Sequence, residues 1–89
     1  MQERFGIAAF RSRQEVLRLE AALKREGVRA RVITTPREVA LGCGLSVRFE
    51  MEDAPRVLAQ IDRLRTHNMI GVYQVEKENA RARLTVVRR

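Results

Sequence analysis

One cysteine, one histidine, no tryptophan and only three phenylalanines and one tyrosine occur in 89 residues, and each scarcity removes a class of chemistry. A lone Cys43 closes no intramolecular disulfide and supplies no cysteine pair for a structural zinc, so packing alone must hold the fold. A lone His67 has no second histidine to share a metal and reads as a cation near a helix end, where it complements the helix dipole. No metal site is expected. No apolar run approaches the ~18 residues of a membrane helix. The apolar stretch after Met1-Gln2-Glu3-Arg4 is short and broken by Arg11, unlike a secretory signal, which points to a cytoplasmic protein without a membrane partner. Neither a glycine-rich phosphate loop nor a nucleophile elbow is present.

Acids are also few: 11 against 18 Lys and Arg, a net charge of +7. The excess is uneven. Residues 77–89 hold Lys77, Arg81, Arg83, Arg88 and Arg89 against Glu78, a net of +4, which leaves +3 for the remainder. The body is therefore only mildly basic, and charge alone is a weak argument for an acidic partner. At 45% hydrophobic the chain is too apolar for a disordered segment, and its length supports one small core.

The apolar pattern divides the chain into alternating strands and helices. Phe5, Ile7 and Ala9 share one face of an opening strand over 4–10. Ser12 and Glu15 form an S-x-x-E capping box, followed by Val16, Leu19, Ala22 and Leu23 at helical spacing and by Gly27 as a left-handed stop. Val28 to Thr34 alternates as a second strand, and Pro36, lacking a ladder donor, must break it. Leu45, Val47 and Phe49 mark a third strand. Asp53 and Pro55 open a second helix with Val57, Leu58, Ile61 and Leu64 on its apolar stripe, ending near His67-Asn68. Ile70 to Val75 is a fourth strand. The β-α-β-β-α-β order predicts an α+β, ferredoxin-like two-layer sandwich: a four-stranded antiparallel sheet with two helices on one face. That domain spans 1–76. The basic tail, 77–89, either adds an edge strand or frays.

Chemistry concentrates in Thr34-Thr35-Pro36-Arg37-Glu38-Val39-Ala40-Leu41-Gly42-Cys43-Gly44-Leu45. A cysteine between Gly42 and Gly44 has an open backbone, so a large partner can reach its sulfur. The thiolate is the reactive form, and Arg37 or Arg48 would favour it electrostatically. A second reading also stands: Cys43 has the strand parity of Leu45, Val47 and Phe49, and a free cysteine is often a small buried hydrophobe. The flanking glycines argue against that reading, since a core strand gains nothing from two residues without side chains.

Thr35-Pro36-Arg37-Glu38, a short spacer, Cys43-Gly44-Leu45 and Arg48-Phe49 resemble the signature of a small bacterial family described as selenium/sulfur carrier proteins. Gly71-Val72-Tyr73 in the closing strand is similar to that family as well, and the likeness covers about residues 4–76. The spacer Val39-Ala40-Leu41 is apolar where the family's is rich in small polar residues, and 77–89 extends past its usual end. The resemblance implies that Cys43 holds sulfane sulfur or selenium as a persulfide or perselenide, with Gly42, Gly44, Arg37 and Arg48 around it. The cargo is then covalent, with no separate cofactor. A donor such as a cysteine desulfurase and an acceptor enzyme become the partners, and the protein is a stoichiometric carrier more than an enzyme.

Two other classes use the same element order. An RNA-binding sheet would present Arg29, Arg31 and Arg48, but it needs exposed aromatics on its central strands, and Phe5, Phe10, Phe49 and Tyr73 are the whole supply. A regulatory or assembly domain would pair its sheet with a second copy as a homodimer.

Overall fold

The computed structural model describes residues 2–37, 39, 44–66 and 68–88. In chain order the elements are β1 (Gln2–Phe10), α1 (Arg13–Arg25), β2 (Ala30–Thr34), β3 (Leu45–Phe49), a 3₁₀ turn (Met51–Asp53), α2 (Ala54–Leu64), β4 (Met69–Glu78) and β5 (Arg81–Arg88).

Both ends of α1 follow from local chemistry. The Ser12 hydroxyl accepts from the Glu15 backbone N–H at 3.4 Å, which satisfies a donor that the first helical turn leaves unpaired. At the other end Gly27 takes φ 76°, Val28 N–H donates to the Leu23 carbonyl at 2.9 Å, and Gly27 N–H donates to that of Lys24 at 3.1 Å. These are the two bonds of a Schellman motif, and the apolar contact that accompanies it is present, since Leu23 and Val28 are buried in one cluster.

α2 departs from expectation at both ends. Asp53 occupies the N-cap position but makes no side-chain capping bond, because the 3₁₀ turn before it already delivers the chain, with Asp53 N–H donating to the Glu50 carbonyl at 2.9 Å. The helix stops at Leu64, earlier than expected, where Arg65 turns left-handed at φ 51°. Its inward side buries Ala54, Val57, Gln60 and Ile61.

The sheet runs β2-β3-β1-β4-β5 with every neighbouring pair antiparallel. The α+β class holds, but the sheet has five strands and not the expected four. The fifth is built from the basic tail. A two-residue turn, Asn79-Ala80, reverses the chain, and Asn79 adopts φ 57°, the left-handed conformation that matches a tight hairpin to strand twist. Leu84 then stands opposite Val75, and Arg88 reaches Asp62 on α2 at 2.6 Å. Apolar packing along the strand and an ion pair at its end keep the tail on the sheet.

Two apolar clusters lie on opposite faces. On one face Ala8, Phe10, Val47, Phe49 and Val72 pack against Val16, Leu19 and Leu23 of α1 and Val57 and Ile61 of α2. Glycine is needed at position 6 on this face, because a Cβ there would lie 2.3 Å from the Phe49 ring, so only a bare backbone lets that ring lie flat across β1. On the other face Phe5, Ile7, Tyr73 and Val75 are also buried, although no helix covers them. Ile33, Val39 and Leu84 pack against this second cluster.

Candidate functional site

The segment singled out in the sequence leaves the sheet at the end of β2 and returns at the start of β3. Its two ends are clamped together. Beyond the last ladder pair, Thr34 with Leu45, Thr35 N–H donates to the Gly44 carbonyl at 3.0 Å. One step further the hydroxyls of Thr35 and Ser46 meet at 2.7 Å, with Thr35 only 4% exposed and Ser46 fully buried. A neutral hydrogen bond shielded from water on both sides is worth most as a pair, because losing one partner strands the other.

Gly44 is half-buried against this clamp. A Cβ there would sit 3.3 Å from the Thr35 hydroxyl and 3.7 Å from the Phe10 carbonyl, a tight fit that favours glycine on steric grounds. Pro36 begins a turn in which Val39 N–H donates to the Pro36 carbonyl at 3.0 Å. Pro36 has no N–H to leave unsatisfied and its φ is fixed, so the turn costs little entropy. Val39 then packs on the Phe5, Ile7, Tyr73 and Val75 cluster. This apolar spacer residue thus rests on the helix-free face.

Arg37 is exposed on this loop. Arg48, by contrast, lies over the sheet: its Nη2 is 2.9 Å from Glu3 Oε1 and its guanidinium sits 3.8 Å above the Phe5 ring centroid. Lys77 approaches the same ring at 5.8 Å. Such placements combine a charge-assisted hydrogen bond with cation–π attraction. Phe5 is only 2% and Tyr73 only 7% exposed, so neither ring is open for a nucleic-acid base to stack upon.

Gly42 and Cys43 lie outside the described residues, as does His67. Among the described residues, Thr35, Gly44 and Ser46 come together, while Arg48 is drawn toward Glu3 and Phe5. The hydroxyl contact between Thr35 and Ser46 is one that the sequence pattern does not announce. Among the described residues no group of three or more His, Cys, Asp or Glu side chains is placed to hold a metal ion, and no described helix is long and apolar enough to cross a membrane.

A family model described as "Putative Se/S carrier protein-like" matches residues 5–69. The chain belongs to this family. The matched span covers β1 through the start of β4 and includes the entire clamped loop, whereas β5 lies beyond it. Comparison with curated proteins returned no match, and comparison with solved structures returned none either.

Proposed function

We propose that the protein is a stoichiometric sulfur or selenium carrier whose working atom is the Cys43 sulfur. The observation that carries this reading is the family match over 5–69, which spans Thr35-Pro36-Arg37-Glu38 and Cys43-Gly44. Packing supports it: the Thr35–Gly44 backbone bond and the Thr35–Ser46 hydroxyl pair hold the two ends of the loop together on the sheet. A loop whose ends are held by a rigid scaffold suits a handover role.

The transfer is a thiol exchange. The Cys43 thiolate attacks the outer sulfur of a donor persulfide, a Cys43 S–S bond forms, and the donor's own S–S bond breaks with its electron pair leaving on the donor thiolate. No net oxidation occurs. A donor perselenide passes selenium by the same displacement, forming an S–Se bond. Release repeats the exchange with an acceptor thiolate, returning Cys43 to the thiolate. Gly42 and Gly44 open the approach, and Arg37 and Arg48 are the cations that stabilise the anionic sulfur, the larger share falling to Arg37 because Glu3 already compensates Arg48. A cysteine desulfurase is the expected donor, with an acceptor enzyme downstream in the reducing cytoplasm.

Intact mass spectrometry after incubation with a desulfurase and cysteine tests the reading. A gain of one sulfur, reversed by dithiothreitol and absent from Cys43→Ala, is expected. An identical adduct on Cys43→Ala, or none on the wild type, sinks it.

A further inference from the structure

β2 forms one edge of the sheet, so among the described residues the outward half of its backbone N–H and C=O groups has no ladder partner. Arg29 leads into the strand and Arg31 lies within it, both exposed. The register sets Arg31 directly opposite Arg48. A pocket of about 200 Å³ at this corner is lined by Arg29, Ala30, Arg31, Arg48, Phe49 and Glu50. Like charges opposite one another in an antiparallel pair destabilise it, and Glu3 relieves only Arg48. Among the described residues neither Arg29 nor Arg31 has an ion-pair partner.

The opposite edge differs. β5 is also rich in arginine, but Arg81 stands opposite Glu78, Arg83 opposite Glu76, and Arg88 bonds Asp62. On β5, Arg81 and Arg83 therefore face carboxylates across the ladder and Arg88 has an ion pair, whereas on β2 Arg31 faces Arg48, cation against cation. Moreover, β2 runs directly into Thr35, the first clamped residue of the loop that carries Cys43.

We propose that the β2 edge docks an extended acidic segment of the protein that exchanges sulfur or selenium with Cys43. The segment adds as an outer strand and sets carboxylates against Arg29 and Arg31. The backbone ladder supplies affinity, and the charge supplies selection and speed of encounter. A second copy of this chain is a poor occupant, because its own β2 and the residue before it, Arg29 to Thr34, bring two arginines and no carboxylate to the pairing. Docking of this kind rests on the carrier reading above.

The test titrates the isotope-labelled full chain with a short synthetic peptide alternating glutamate with valine. Amide resonances of 30–34 should shift, and their outward amides should exchange more slowly. The lysine counterpart of the peptide should do neither. Charge reversal, Arg29→Glu with Arg31→Glu, should weaken peptide binding on the order of tenfold. The same variant should lose rate in loading from a desulfurase while inorganic polysulfide, which needs no docking, loads Cys43 as in the wild type. Shifts confined to β5, undiminished binding by the charge-reversed variant, or tighter binding of single-stranded DNA at Arg29 and Arg31 overturns the docking proposal. Failure of polysulfide to load the wild type overturns the carrier reading instead.

Discussion

Thr35 and Ser46 are the two side chains whose removal should be felt most at the loop. Each is buried, and each is satisfied by the other at 2.7 Å. Thr35→Val leaves the Ser46 hydroxyl without a partner, and Ser46→Ala does the same to Thr35, so each single change should cost about 1–3 kcal/mol in urea unfolding. The double variant should cost less than the sum, since no stranded hydroxyl remains. Additive losses would mean that the two hydroxyls are independently satisfied. The pair was hidden in the sequence because Ser46 shares strand parity with Arg48 and Glu50, which reads as a wetted face; yet Ser46 is fully buried, and other strands bring Phe5, Ile7, Tyr73 and Val75 together in a second apolar cluster, which the alternation of one strand does not show. The paired arginines give a second expectation at this scale. Arg37→Gln should slow iodoacetamide alkylation of Cys43 several-fold near neutral pH, because an exposed cation on the loop is lost. Arg48→Gln should change it much less, since Glu3 already balances that charge. Equal effects would place both guanidiniums at the same distance from the sulfur in electrostatic terms.

Elements were more legible than contacts. The capping serine, the apolar stripe and the terminal glycine of α1 are local signals, and local hydrogen bonds realise them, so α1 was readable at both ends. α2 was less so: its end depends on Arg65 adopting φ 51°, a conformation that no residue type announces other than glycine or asparagine. Two glycines separate backbone from packing demands. Gly27 has open space around it and φ 76°, so Gly27→Ala should cost only the left-handed penalty, about 1–2 kcal/mol. Gly6 instead faces the Phe49 ring at 2.3 Å, and that ring is itself only 1% exposed and has nowhere to retreat. Gly6→Ala should therefore be the costlier change, toward the upper end of the ~1–3 kcal/mol typical of overpacking, and should perturb the aromatic resonances of Phe49. Equal urea midpoints for the two variants would show that β1 moves to admit the methyl.

At the scale of the whole molecule, the tail changes meaning. By charge it resembles an appendage, since 77–89 contributes +4 of the +7. In the fold, Lys77 and Glu78 finish β4, and β5 sets Glu76 and Glu78 against Arg83 and Arg81. Two of the tail's arginines thus stand opposite carboxylates of β4. Weak alternation of Ala82, Leu84 and Val86 with arginines suits a solvated edge strand as well as a loose end, and only pairing with β4 decides between them. Removing residues 79–89 should therefore do more than lower the charge. It takes Leu84 off the helix-free cluster, breaks the Arg88–Asp62 pair and leaves ten-residue β4 as an open edge. Loss of one leucine's partial burial and of a strand's cross-strand contacts together imply a stability loss of at least about 2 kcal/mol. A newly open edge of that length also invites edge-to-edge pairing. Urea unfolding should show the earlier midpoint, and light scattering should show association that the full chain lacks at the same concentration. A truncated chain that unfolds with the wild-type midpoint and stays monomeric would mean that the first four strands stand alone and β5 merely rests against them.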